Sequence, residues 1–163
     1  LTCFMRFFMT NSYASSACAH LCEVFAQDIP LTAALAVQVC AWDGQSLHLQ
    51  LPLAQNLNHQ SSMFGGSLYC AGVLACWGWL HLRLRDAGIN TTHIVVQAGQ
   101  IDYPLPVLAD AEVICVAPDE AVWDRFFKMY QRHGKARISL SSRILTHDGQ
   151  DGACFTGQFV LHR

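Results

Sequence analysis

The sequence predicts an α+β fold in which an antiparallel sheet of about six strands wraps around one long central helix. Three observations predict it. Residues 65–82, "GGSLYCAGVLACWGWLHL", carry no formal charge and are apolar on nearly every side, and a helix of that kind is buried all round. Two Asp-Gly pairs, Asp43-Gly44 and Asp148-Gly149, separate β-like runs in the manner of hairpin turns. Such runs stand on both sides of the helix, and hairpins favour antiparallel pairing over a parallel βαβ arrangement.

The length of 163 residues suits a single domain spanning 1–163. Its first segment, residues 1–14, starts without methionine and mixes aromatics with one arginine. This segment is too short and too polar for a clear signal peptide, and Met5 or Met9 is an alternative start, so it is expected to be an extension. Ser15 or Ser16 is expected to cap a first helix running to about Asp28, with Leu21, Val24 and Phe25 on one face and Pro30 ending it.

A hairpin follows, "LAVQVCAW" and "SLHLQLPL" flanking Asp43-Gly44. In its second arm Leu47, Leu49 and Leu51 alternate with His48 and Gln50, as in a half-buried strand, which makes His48 solvated or edge-facing and not a ligand. Next comes the central helix, where Gly72 and Gly78 would let it lie close to the sheet. The run reaches the lower length limit of a membrane span, but its glycines and the strands flanking it place it inside a sheet, so no span is expected.

"THIVVQAGQIDY" and "ADAEVICVA" are the next two strands. "PDEAVWDRFFKMYQRHG" reads as a short amphipathic helix opened by Pro118 and two acids, with Val122, Phe126 and Met129 as its inward stripe and Gly134 at its end. "ARISLSSRIL" and "GACFTGQFVLH" complete the sheet across the second Asp-Gly turn, with Phe155, Phe159 and Leu161 sharing a face.

Composition narrows the function. With 52% hydrophobic residues, 13% charged residues and a net charge of −2, nothing invites a nucleic-acid backbone. Eight cysteines would suggest disulfides in a small secreted chain. Here Cys40, Cys70, Cys76, Cys115 and Cys154 fall within predicted strands or the buried helix, so they read as small core hydrophobes in a reducing, cytoplasmic compartment. "CAHLC" lacks a second ligand pair at zinc spacing, and on a helix His20 would project away from the Cys18/Cys22 face, so no metal site is expected.

The stretch "NHQSSMFGGSLY" before a helix continuing "CAGVLACWGWLHLRLR" resembles the hotdog-fold thioesterases, and more narrowly the family typified by the carboxy-terminal domain of YiiD. "IDYPLPVLAD", "RISLSSRI" and "GQFV" are similar to later stretches of that family, and the resemblance covers about residues 20 to 162. It implies hydrolysis of acyl-CoA or acyl-carrier-protein thioesters and no resident cofactor, CoA or phosphopantetheine being part of the substrate. A homodimer with its site at the subunit interface is also implied, a tetramer being the alternative. Phenylacetate-pathway thioesterases of the wider fold carry an asparagine, a His-Gly-Gly and then an acid. Aligned on Gly65-Gly66, Asn58 falls on the asparagine, Phe64 on the histidine and Val73 on the acid.

The chemistry that survives these two apolar replacements belongs to the helix start. Free N–H groups there, with the macrodipole behind them, polarise a thioester carbonyl and stabilise the oxyanion formed by water attack. Gly65 and Gly66 let that carbonyl approach the backbone with no Cβ in the way. Asn58 is the candidate to hold water or carbonyl, and His59, a residue type that ionises near neutrality, is the candidate proton acceptor. Ser61, Ser62, Phe64, Ser67 and Asp102 complete the expected substrate-contacting set. A hotdog module that binds acyl-CoA without cleaving it is the alternative function.

Overall fold

The computed structural model describes residues 2–163, with side chains from Ser12 onward. Leu1 and the side chains of residues 2–11 lie outside the described residues, and with them most of the expected extension. In chain order the elements are α1 (Thr2–Asp28), α2 (Leu31–Leu35), β1 (Gln38–Trp42), β2 (Ser46–Leu51), α3 (Gly65–Asp86), β3 (Ile94–Asp102), β4 (Ala111–Val116), α4 (Glu120–His133), β5 (Lys135–Leu145) and β6 (Asp151–His162). The strands form a six-stranded sheet in the order β1-β2-β4-β5-β6-β3. Every pairing is antiparallel.

Helix α3 packs against β2, β3, β4, β5 and β6, so the sheet closes around it as the apolar run predicts. Leu80, Leu82 and Leu84 are fully buried along with Trp79. Each such side chain contributes about 1.5–3 kcal/mol by leaving water. The indoles also anchor the helix: Trp77 Nε1 donates to the Ile94 carbonyl at 3.0 Å, and Trp79 Nε1 to the Gln45 carbonyl at 2.9 Å. Gly72 and Gly78 sit where helix meets neighbour. A Cβ at residue 72 would lie 2.7 Å from Phe155 Cβ, and one at residue 78 would lie 2.8 Å from Leu47 Cδ2 and 3.0 Å from Leu21 Cδ2.

Strands β2 and β5 alternate buried and outward residues along their length, the period-two pattern of a sheet with one covered face. His48 faces outward and meets Glu112 at 2.7 Å, which is the solvated role expected of it.

Four expectations are corrected. The first helix does not begin at Ser15 or Ser16, because α1 runs through both; the sequence holds no glycine or proline before Pro30 to break it. The first strand does not begin at Leu35, since Leu31–Leu35 form the short α2, capped by Pro30 and with its Thr32 hydroxyl donating to the Ile29 carbonyl at 2.8 Å, and β1 starts only at Gln38. Of the five cysteines expected in the core only Cys76 and Cys115 are buried, while Cys70 and Cys154 are half-buried and Cys40 is exposed on the edge strand β1. Helix α4 turns a different face inward: Trp123, Phe126 and Tyr130 are buried, and Val122 and Met129 are left 37% and 47% exposed. Trp123 is drawn in by Trp79, whose ring it meets edge-on at 5.9 Å.

Helix α1 is joined to α3 through a histidine pair. His81 Nδ1 lies 2.9 Å from the Thr91 carbonyl, which only accepts, so that nitrogen carries the proton. Its Nε2 must then accept from His20 Nε2 at 3.0 Å. Burial pushes both imidazoles below the ordinary histidine value of 6.5, and nearby Arg85 adds to this while Glu23 (for His20), Thr91 and Asp28 (for His81) oppose it. Stability from neutral histidines is complete above the unfolded value and is lost as pH falls through the folded ones. The thermal midpoint should therefore drop as pH is lowered below about 6.5, and His20→Gln should flatten that slope; equal slopes in both proteins would show that the pair is not its source.

Candidate active site

The polar loop between β2 and α3 is held from below by an asparagine, Asn56, two residues before the expected one. Asn56 is buried, and its Nδ2 donates to the Leu35 carbonyl at 2.9 Å and the Pro52 carbonyl at 2.8 Å. Its own carbonyl accepts the Phe64 N–H at 2.7 Å, while the Met63 N–H reaches the Val107 carbonyl at 2.8 Å. Leu57 and Met63 form an antiparallel bridge, so residues 57–63 make a small closed lobe directly ahead of α3.

Asn58 organises that lobe. Its Oδ1 accepts the N–H groups of Gln60 at 2.8 Å and Ser62 at 3.1 Å, and its Nδ2 donates to Ser62 Oγ at 2.9 Å. Ser61 adopts a positive φ of 59°, a strained conformation for a residue with a Cβ. His59 and Ser61 project at the exposed tip, and Ser62 is half-buried beneath them. The lobe thus brings Asn58 and Ser62 together.

The start of α3 is electrostatically bare. Phe64 occupies the N-cap and has no oxygen to offer, and the first turn holds no acid, whereas Arg83 and Arg85 complement the far end. The intrahelical ladder begins with the Leu68 N–H on the Phe64 carbonyl. The N–H groups of Gly65, Gly66 and Ser67 precede it, and these are the donors a helix leaves free. The Phe64 ring, 56% exposed, folds back so that a Cβ on Gly66 would meet its Cε1. Ser67 is buried.

Asp102 ends β3, exposed and opposite Cys154 of β6. The residue that reaches the helix start is its neighbour, Tyr103, whose hydroxyl donates to the Gly65 carbonyl at 3.0 Å. Burial pushes the Tyr103 phenol up, with Tyr69 and Cys70 adding to the effect, so it stays a donor. Tyr69, one turn into α3, packs edge-on against Phe155 with centroids 5.3 Å apart. Both tyrosines stand inside quoted motifs, yet an aromatic beside a proline or a glycine pair has no spacing that marks it. Burial also raises the Cys70 and Cys154 thiols, which leaves neither a ready thiolate nucleophile. Among the described residues no three His, Cys, Asp or Glu side chains gather as metal ligands, and no helix is long and apolar enough to cross a membrane.

Comparison with known proteins points one way. The family described as "Putative thioesterase (yiiD_Cterm)" matches residues 18–163. A protein of unknown function from Chlorobaculum tepidum TLS shares 32% identity, with 92% of this chain and 96% of that chain covered at a TM-score of 0.86. A structure described as a putative thioesterase from Shewanella oneidensis shares 26% identity, with 91% and 99% covered and a TM-score of 0.82. The E. coli PaaI protein, from the phenylacetic acid degradation operon, is 17% identical over 92% and 95% of the two chains at a TM-score of 0.63. At that identity the likeness is one of fold, and the fold is the hotdog.

Proposed function

The chain belongs to the thioesterase family typified by the carboxy-terminal domain of YiiD, and from that premise we propose that it hydrolyses acyl thioesters of coenzyme A or of acyl-carrier protein. The observation that carries this reading is the bare start of α3: an apolar N-cap, no acid in the first turn and glycines at the first two positions. A thioester carbonyl placed there receives backbone N–H bonds from Gly65 and Gly66, with the Phe64 and Tyr103 rings beside the two glycines flanking its approach. Water attacks the carbonyl carbon and gives up a proton to His59; the C–S bond then breaks, and the thiolate leaves with that proton as the free thiol.

In this scheme Asn58 and Ser62 hold the lobe that carries His59. Phe64 and Tyr103 supply apolar surface for the acyl group, with Ser61, Ser67 and Asp102 at its margins. Tyr103 fixes the β3–β4 connection over the helix start through the Gly65 carbonyl. A homodimer completes the molecule. Strand β3 is a sheet edge, with Val95 49% and Val96 43% exposed, and pairing it with a second copy satisfies its open backbone groups. The described cysteines are free thiols, in keeping with a cytoplasmic setting.

Val73, half-buried where the phenylacetate-pathway enzymes carry an acid, favours a second reading as a module that binds acyl-CoA intact. One preparation decides between them. Purified protein sedimenting as a dimer is expected to release thiol from a panel of acyl-CoA and acyl-carrier-protein substrates. Acyl-CoA bound tightly and recovered whole after hours would establish the binding module instead.

A further inference from the structure

The face of α4 that the core does not use lines a trough. Val122, Arg125 and Met129 recur at helical spacing on one stripe of α4, and Lys135, Arg137 and Ser139 alternate outward along β5 to form the opposite wall. Phe126, Ala136 and Ile138 make the floor. The volume between the walls is about 550 Å³.

Its charge is one-sided. Among the described residues three cations line it and no carboxylate does, in a chain whose 12 acids outnumber its 10 lysines and arginines. Among the described residues, too, the ion pairs are His48–Glu112 and Arg143–Asp151, so none of the three is neutralised by one. Exposed Val122 and Met129 beside unneutralised cations suit a ligand with an apolar body and several negative charges.

Size selects between candidates of that kind. A docked acidic protein needs about 800 Å² on each partner, more than a trough whose apolar wall, Val122 to Met129, is two helical turns or about 10 Å long. Its volume is that of a small-molecule site. We propose that the trough between α4 and β5 binds a phosphorylated nucleotide, its base on Val122 and Met129 and its phosphates on Arg125, Lys135 and Arg137. Arginine forks and a lysine point charge suit such phosphates. The identity of the natural ligand rests on the thioesterase reading: it is the nucleotide end of a CoA thioester.

Calorimetric titration of the full chain with adenosine 3′,5′-bisphosphate at low salt is the test, with adenosine and inorganic phosphate as separate probes. Saturable binding of the bisphosphate is expected, tighter than either probe alone. It should weaken at least tenfold in the double variant Lys135→Glu/Arg137→Glu and several-fold in Met129→Ser. In kinetics, the kcat/KM advantage of an acyl-CoA over the matching acyl-N-acetylcysteamine thioester should shrink in the double variant. Absence of saturable binding, or equal binding by the double variant, would overturn the proposal. So would a change in its sedimentation with no change in nucleotide affinity, which would make the trough a contact between copies, or capture of an acidic carrier protein in place of the nucleotide. A protein that cleaves no thioester yet binds the bisphosphate through these residues would refute the thioesterase reading and leave the site standing.

Discussion

Phe155→Ala is expected to destabilise the protein by about 3–5 kcal/mol, toward the upper end of the range for a buried aromatic. The ring is 1% exposed. What surrounds it decides how much of the vacated space can close. Three glycines press on it from different elements: a Cβ at residue 72 would lie 2.7 Å from Phe155 Cβ, one at 99 would lie 2.9 Å from Cε2, and one at 157 would lie 2.7 Å from Cζ. The walls at these points are therefore backbone in α3, β3 and β6, with the Tyr69 ring against another side, and backbone held in ladders does not collapse into a void. Ser142 Oγ fixes one wall further by donating to the Gly72 carbonyl at 3.0 Å. Denaturant unfolding measures the effect, and a loss below about 1 kcal/mol would mean that the helix and sheet can close the gap, contrary to this packing.

The same contacts explain what could be read from the amino-acid order. Gly72 and Gly78 announced close approach, because a glycine inside an apolar helix has few other uses. Strand alternation in β2 and β5 and the two Asp-Gly turns gave the antiparallel sheet, since each signal is local in sequence. The inward face of α4 was not local. A stripe of Val122, Phe126 and Met129 and a stripe of Trp123, Phe126 and Tyr130 are both apolar at helical spacing, and the choice between them is made by Trp79 in another element. Burial of individual cysteines was hidden for the same reason, because Cys40 is exposed only by lying on the edge strand. At the site, the glycine pair and the polar lobe were visible as a motif. Tyr103 was not, because its contact with Gly65 crosses the fold.

Asn58→Ala is expected to lower kcat roughly a hundredfold, the scale on which a displaced reacting group costs rate. The route is now specific. Asn58 spends its Oδ1 on the Gln60 and Ser62 N–H groups and one Nδ2 proton on Ser62 Oγ, so it acts by positioning the lobe that carries His59 and leads into Gly65. Three lost hydrogen bonds at about 1 kcal/mol each loosen that lobe, while Asn56 and the Met63–Val107 bond still hold its base. Global unfolding should therefore shift by no more than about 3 kcal/mol, the sum of those bonds, with the fold retained. Asn58→Asp keeps both acceptances from backbone N–H and should recover most of the rate, which a group needed as a hydrogen-bond donor to water or carbonyl would not allow. Ser62→Ala should cost part of the same hundredfold, and the double variant Asn58→Ala/Ser62→Ala little more than Asn58→Ala alone, as for two residues acting through one contact. His59→Ala should abolish turnover at neutral pH without changing stability, because the side chain is exposed at the tip of the lobe. Full activity in Asn58→Ala would show that the lobe needs no fixed geometry, and with full activity in His59→Ala as well the proton acceptor would lie outside it.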